Sequence, residues 1–462
     1  MTNNEKNHNM AKRLAEAVRT HGGTAYYVGG YVRDKLLHIE NKDIDIEVHG
    51  IDAITLADIL DALGERIAIG ESFGIFTLKG YDIDVALPRK ERAIGKGHRD
   101  FETFTDPFIG TYEAAKRRDF TVGALMMDVL TEEITDHFGG IDDLNQGILR
   151  HVCAQTFTED PLRVLRLAQF AARFGFVPAD ETLALCRTMH LSHLSRERVW
   201  EELRKALLKA PRPSVFFEIL RRADQLEPWF SEVKALIGVE QNPDYHAEGD
   251  VFTHTMMVLD EAAKYRADTS DPFAFMLTAL CHDFGKTVCT RVIDGKLCSR
   301  NHETIGLPLI EQFLKRITNE TKIISYVINL TEHHMRPNAL AAFGSSVKAT
   351  NKMFDSVGAP KDLFYFAKAD HFGRICAAPS LFHEDFLLER LRIYEDVMRE
   401  PYVMGKDLID AGLKAGPSFS LLLAHAHKLR LAGVKKEEAL KQTLAYEREL
   451  CKKTPNKPFT KR

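Results

Sequence analysis

Asp43 and Asp45 flank a single isoleucine, about a dozen residues after the run Val28-Gly29-Gly30-Tyr31-Val32-Arg33-Asp34. Two carboxylates spaced i, i+2 on a strand point to the same face, so they can share divalent cations. A Gly-Gly turn that opens a helix presents bare backbone N–H groups at the helix's positive end, where a polyphosphate can settle. Together these features suggest two-metal phosphoryl or nucleotidyl transfer. Either alone is also common on solvated strand faces and in plain turns, so the weight rests on the combination. A second set of residues lies far downstream: His254, then Cys281-His282-Asp283-Phe284-Gly285-Lys286, Asn301-His302-Glu303, Glu332-His333-His334 and Ala369-Asp370-His371. Imidazole and carboxylate donors gathered within helices suit a divalent transition metal that activates water.

The elements that would position the first set form a small α/β head. Between residue 24 and about residue 140, short β-rich runs (24–28, 44–48, 74–78, 82–86) alternate with helical stretches. A hairpin turning at Gly80 puts Asp82 and Asp84 on one strand face. Asp84 either completes the metal-binding carboxylate set or is a solvated edge charge. Residues 89–110 are charged and glycine-containing and read as a mobile loop. From Asp160 onward the pattern is helical. Asp160 followed by Pro161 reads as an N-cap and first-turn pair, and Leu162, Leu165, Phe170 and Phe174 supply a buried side. Pro211 and Pro213 mark a break, and Gln241-Asn242-Pro243-Asp244 marks a boundary before a second helical module. Another begins near Pro401 and Gly405. The expected segments are therefore 1–150, 151–240, 241–400 and 401–462.

At 462 residues the chain exceeds one simple core. Hydrophobic residues at 45% and charged residues at 28% are ordinary for a soluble globular protein, and a net charge of −4 neither announces nor excludes a nucleic-acid partner. From residue 411 to the end, twelve Lys/Arg face four Asp/Glu. This piece reads either as a solvated, partly helical tail or as a basic surface for RNA phosphates. Seven scattered cysteines, never in C-x-x-C, argue for reduced thiols in a cytoplasmic protein. The polar first ten residues lack the apolar core of a signal peptide, and no apolar run approaches membrane-spanning length.

Lys116-Arg117-Arg118-Asp119-Phe120-Thr121 and Glu159-Asp160-Pro161-Leu162-Arg163-Val164-Leu165-Arg166 follow the Asp43/Asp45 region in order. In this combination, residues 24 to about 180 resemble the class II tRNA nucleotidyltransferase and bacterial poly(A) polymerase superfamily. That family usually continues Arg-Arg-Asp-Phe-Thr-Ile-Asn-Ala-Leu, whereas this chain carries Gly123 in place of the Asn. The resemblance implies a polymerase-beta-like nucleotidyltransferase head in which Asp43 and Asp45 hold Mg²⁺. It also implies nucleotide contacts from Gly29, Gly30, Arg33, Arg118, Asp119 and Arg166, and base reading by Asp160 and Arg163.

The chemistry of the bases makes that last role specific. Cytosine and adenine both present an amino donor beside a ring-nitrogen acceptor; uracil and guanine present a carbonyl acceptor and a ring N–H donor. A carboxylate beside a guanidinium, three apart at a helix start, accepts C and A and rejects U and G. The plainer reading is a helix cap and a surface arginine.

Residues 245 to about 375 resemble the HD phosphohydrolase superfamily. His254, His282, Asp283 and Asp370 match its metal ligands, and Lys286 lies near a substrate phosphate. His302, with His333 or His334, either adds ligands for a second ion or contacts phosphate. The implied cofactors are Mg²⁺ in the head and a divalent transition metal such as Mn²⁺ or Ni²⁺ in the HD module. The overall expectation is an α+β multidomain enzyme: an α/β head, an all-α neck and an HD domain. Its implied activity is addition of CMP and AMP from CTP and ATP to tRNA 3′ ends, with an accompanying phosphohydrolase. Alternatives at this point are a poly(A) polymerase or A-adding enzyme, and an HD phosphohydrolase whose head only binds RNA.

Overall fold

The structure, a computed structural model, describes residues 3–41, 43–70, 75–93 and 101–453. The chain divides into two compact units, Met1–Ser231 and Glu232–Arg462.

The first unit is built on a seven-stranded sheet. Its strands come from β1 (Thr24–Val28), β2 (Ile44–His49), β3 (Arg66–Gly70), β4 (Ile75–Leu78) and β5 (Ile83–Ala86), while β6 (Arg89–Ala93) and β7 (Phe101–Thr105) form a separate hairpin. With β8 (Met126–Asp128) and β9 (Ile134–Thr135), the sheet order is β3-β4-β5-β2-β1-β8-β9. The pairings are antiparallel apart from β2 with β5, which is parallel and sets Asp45 opposite Asp84. Alternation on β2 buries Ile44, Ile46 and Val48 and leaves Asp45 exposed. The buried face joins Val85 from β5, Tyr27 from β1 and Leu14 and Val18 from helix Asn3–Thr20 in one core.

The charged stretch after residue 88 differs from the expectation. Arg89–Ala93 and Phe101–Thr105 pair as a two-stranded ribbon, in register from Arg89↔Thr105 to Ala93↔Phe101. Backbone pairing, not side-chain patterning, makes these strands, so a charge-rich run gives no periodic signal. Residues 94–100 lie outside the described set.

Helix Leu162–Phe174 buries Leu162, Leu165 and Phe170 as expected and packs against helices Arg196–Lys209 and Ser214–Arg222. Its cap position is Pro161, one residue later than expected, yet the Asp160 carboxylate still accepts from the Leu162 N–H at 3.1 Å. Phe120 ties the head to this helix, fully buried with ring centroids 5.8 Å from Phe157 and 5.6 Å from Phe170.

The second unit is almost wholly helical. Helices Val251–Ala262, Pro272–Cys281, Thr321–His333 and Pro360–Phe372 surround a core containing Phe275, Leu277 and Phe366. Asp250 and Asp271 cap the first two of these through backbone N–H groups. The C-terminal piece is helical, as expected for residues 401–462, and has a small core of its own. Helices Phe419–Leu431 and Lys436–Lys453 pack together and close a small core of Leu408, Leu422, Ala426 and Ala439. Residues 454–462 lie outside the described set. Among the described residues, no helix is long and apolar enough to cross a membrane.

Candidate active sites

Asp43, Asp45 and Asp84 line one pocket of about 250 Å³, together with Thr77 and Asp82. The parallel β2–β5 pairing supplies two of the carboxylates, and Asp43 stands one residue before β2. The Thr77 hydroxyl donates to Asp84 Oδ1 from the neighbouring strand. Partial desolvation raises the Asp45 pKa against the pull of Arg118, and Asp84 and Asp43 raise it further. Three carboxylates answered by one guanidinium leave negative charge that a cation would neutralise. Their oxygens are not gathered within 4.8 Å of one another, unlike the ligand clusters of the second unit.

Gly29 sits beside this pocket. Its φ of 63° is a conformation that favours glycine. A Cβ there would point toward Arg118, at 3.6 Å, and Asp45, at 4.0 Å, so the position also keeps space next to both groups. Gly30 begins the helix Gly30–Leu36.

Arg118 and Asp119, adjacent in sequence, take different partners. Arg118 donates to Glu47 at 3.3 Å. Glu47, which the motifs did not single out, is buried on β2; burial would raise its pKa, but the His49 hydrogen bond and Arg118 and Arg117 hold it down at about 2. Asp119 accepts from Arg166 Nε at 2.6 Å and from the Phe120 N–H at 2.9 Å. Against the effect of burial, Arg166 keeps its pKa below the usual carboxylate range. Arg33 does not line the pocket: it is buried, bound through two nitrogens to Asp34 Oδ1, with its guanidinium 4.4 Å from the Phe174 ring centre. That position joins the Gly-Gly helix to the helix that starts with Leu162.

Asp160 and Arg163 both have protein partners. Asp160 Oδ2 accepts from Arg198 at 2.8 Å, a residue with no motif to mark it. Arg163 donates to the backbone oxygens of Thr156 at 2.8 Å and Arg117 at 2.7 Å. These bonds orient the pair without exhausting it, since a guanidinium has further N–H donors and a carboxylate further lone pairs. Gly123 has no left-handed backbone angle, and a Cβ there would meet only Asp119 Oδ1, at an ordinary 3.6 Å. Sterics therefore do not require glycine at this position.

The second unit contains the densest set of ligand-type side chains. His254, His282 and Asp370 form one cluster and Asp283, His302 and His334 an adjoining one. Asp283 lies between them, its Oδ2 3.2 Å from His282 Nε2 and its Oδ1 3.2 Å from His302 Nε2. Each imidazole is held by its Nδ1: His254 on Glu248 at 3.0 Å, His282 on the Ala279 carbonyl at 3.0 Å, His302 on Ser299 at 2.9 Å and His334 on Thr331 at 2.6 Å. Carbonyl acceptors at Nδ1 fix the proton there and turn the Nε2 lone pair inward. The Nε2 atoms of His254 and His282 then face each other at 3.4 Å, and those of His302 and His334 at 3.3 Å. Facing lone pairs repel unless a cation lies between or beside them.

Both Asp283 oxygens are buried without a directed hydrogen-bond donor, even though Lys286 Nζ is 2.7 Å from Oδ2. Burial would raise Asp283, but His282 and Lys286 hold it well below the usual range; in the same way His254 and His282 hold Asp370 low against burial. Burial, with His302 and His282 nearby, pushes His334 down to about 3. His254 and His302 are drawn upward instead, the acidic neighbours Asp370, Glu248 and Asp283 overcoming burial. Orphaned carboxylate oxygens and inward lone pairs fit divalent metal. His334, not the half-buried His333, belongs to the cluster. Sequence reasoning missed Glu248, which also accepts from His246 and from the Ile375 N–H, because its position is set only by the fold. It also missed Gln241, which accepts from Lys286 at 2.8 Å.

Comparison with known proteins assigns families to both units. Residues 25–150 match the poly A polymerase head domain, residues 175–237 the probable RNA and SrmB-binding site of polymerase A, and residues 251–371 the HD domain. The multifunctional CCA protein of Tolumonas auensis is 39% identical over 316 residues, covering 67% of this chain and 74% of that protein. That of Chromobacterium violaceum is 38% identical over 319 residues, again covering 67% and 74%. The fold is similar to the Thermotoga maritima CCA-adding enzyme complexed with tRNA, with a TM-score of 0.64 at 19% identity over 95% of each chain. It is also similar to the Bacillus stearothermophilus CCA-adding enzyme in complex with CTP, with a TM-score of 0.65 at 20% identity over 95% of this chain and 97% of that one.

Proposed function

The chain belongs to the family of the multifunctional CCA proteins, and from that premise we propose that it adds CMP and AMP from CTP and ATP to tRNA 3′ ends without a nucleic-acid template. The observation that carries this reading is the single pocket that collects Asp43, Asp45 and Asp84 next to Gly29 and Arg118.

Magnesium held by Asp43 and Asp45, with Asp84 as the third carboxylate, would supply charge that activates the 3′-hydroxyl and neutralises the leaving pyrophosphate. Arg118, kept in place by Glu47, offers donors to the nucleotide phosphates, and the Gly29-Gly30 backbone lets them approach closely. Asp119, oriented by Arg166, accepts from a ribose hydroxyl. Asp160 accepts from the amino group of C or A while Arg163 donates to the ring nitrogen, so the protein itself is the template. Arg198 and the two backbone carbonyls that hold this pair fix its geometry before the base arrives.

In the second unit, a transition metal such as Mn²⁺ or Ni²⁺ held by His254, His282, Asp283 and Asp370, with His302 and His334 for a neighbouring ion, would activate water toward a phosphate ester. Lys286 donates positive charge to that phosphate. Seven scattered cysteines without a C-x-x-C pair support a cytoplasmic setting.

The test is extension of a tRNA lacking its 3′ end with each labelled NTP alone and in combination. Ordered addition of C, C and A followed by arrest supports the reading. Unlimited A addition would make the head a poly(A) polymerase, and no addition would leave a phosphohydrolase with an RNA-binding head.

A further inference from the structure

A cavity of about 460 Å³ in the second unit lies outside both ligand clusters. It runs between helix Val347–Asp355 and helix Phe419–Leu431, with Arg336 at the start of helix Arg336–Ala342 closing one side. Lys348, Lys352 and Asp355 lie on one face of the first helix at i, i+4 and i+7. Ala424, His427, Lys428 and Leu431 lie on the facing side of the second at helical spacing. Such facing stripes between packed helices are ordinarily apolar. Here they carry Lys348, Lys352 and Lys428, and Arg336 adds a fourth cation.

The cavity's one carboxylate, Asp355, can offset only one of the four. Asp355 Oδ2 accepts from His427 Nε2 at 2.8 Å, and its Oδ1 is 3.5 Å from the Tyr394 hydroxyl. Arg336 is placed by the Ser356 hydroxyl at 3.2 Å, a neutral partner. The side chains of Lys348, Lys352 and Lys428 have no ion-pair or hydrogen-bond partner among the described residues. Four cations round a concavity whose apolar lining is Ala424 and the buried Leu431 focus positive potential inward.

We infer that this cavity binds a small organic or inorganic polyphosphate. Phosphate oxygens match three ammonium groups and a guanidinium, and a compact uncharged moiety has Leu431 and Ala424 to lie against. A nucleic-acid backbone is disfavoured because the charge is gathered round one cavity and not drawn out along a track. The volume lies within the roughly 300–1,000 Å³ usual for small-ligand sites. The site stands independently of nucleotide addition.

The test is calorimetric titration of the full chain with inorganic tripolyphosphate, comparing wild type with Lys348→Ala/Lys352→Ala. Both lysines are exposed, so the substitutions leave the core alone. Wild type is expected to bind one more equivalent than the double variant, or to bind it at least about tenfold more tightly. Lys348→Arg/Lys352→Arg is expected to retain that equivalent, and CTP incorporation is expected to be the same in all three proteins. The nucleotide site of the head contributes equally throughout, so it cancels in the difference. Identical titrations for wild type and the alanine variant would overturn the inference. So would a variant that keeps its tripolyphosphate binding and loses only affinity for truncated tRNA, because the lysines would then be backbone contacts.

Discussion

Asp45 is surrounded closely enough to be partly desolvated and has Asp84 and Asp43 for neighbours, with Arg118 as its counterweight. Its side chain is exposed on the sheet while Ile44 and Ile46 on either side are buried, so the position contributes nothing to core packing. Asp45→Asn is therefore expected to lower CMP incorporation by at least about a hundredfold, the scale for losing a group that stabilises developing charge. Its melting temperature should stay at or above that of wild type. Near-normal incorporation by the purified variant would remove Asp45 from the catalytic set. For Asp160 the expected outcome concerns choice. Each hydrogen bond from a charged partner contributes on the order of 1.5–3 kcal/mol, and without the carboxylate the carbonyl of U or G is no longer repelled. Asp160→Ala should admit UTP and GTP, and Arg163→Ala should lower C and A incorporation together. Single-nucleotide extension with the four NTPs reads both, and full discrimination by the Asp160 variant would reduce that residue to a helix-start contact with Arg198.

The elements show where the sequence was legible. Asp43, Asp45 and Asp84 could be read because strand alternation is a local rule. His254 and Asp370 lie on helices, and His282 and Asp283 in the turn after helix Pro272–Cys281 rather than within a helix as expected; their order and residue types were legible because they recur in a family. Arg33 and Glu47 could not. Arg33 stands in the glycine motif, yet its guanidinium is buried with Asp34 against Phe174, a partner about 140 residues away that no local pattern reveals. Glu47 looks like an outward strand position, but β2 is central and Arg118 and His49 converge on it. Its consequence is measurable. The folded-state pKa of about 2 lies below the ordinary 4.5, so the stabilisation is complete above the unfolded value and is lost as pH falls toward the folded one. Wild type should exceed Glu47→Gln in stability by on the order of 3 kcal/mol at neutral pH. The gap should close as pH drops from about 4.5 to about 2 in denaturant titrations. A gap that stays constant through that range would show that Glu47 is held by something other than its charge.

At the scale of the whole molecule, two metal-type sites occupy separate compact units, and their donor chemistry differs. The first offers carboxylates alone, which suit a hard ion such as Mg²⁺; the second offers four imidazoles with two carboxylates, which suit a transition ion. The two should therefore be separable by both metal and mutation. Asp283 is the residue to change, because its carboxylate lies within 3.2 Å of an imidazole in each of the two histidine clusters and both its oxygens lack directed donors. Asp283→Asn keeps the shape but removes the charge that draws cations to the centre. The variant is expected to lose transition metal by elemental analysis and to lose hydrolysis of a phosphomonoester or cyclic phosphodiester. With Mg²⁺ supplied, it should still add C and A to truncated tRNA at close to the wild-type rate. Removing tightly held metal from the wild-type protein with a chelator and restoring only Mg²⁺ should give the same split without any mutation. Loss of both activities in a variant that keeps its circular dichroism and melting temperature would mean the two centres work as one.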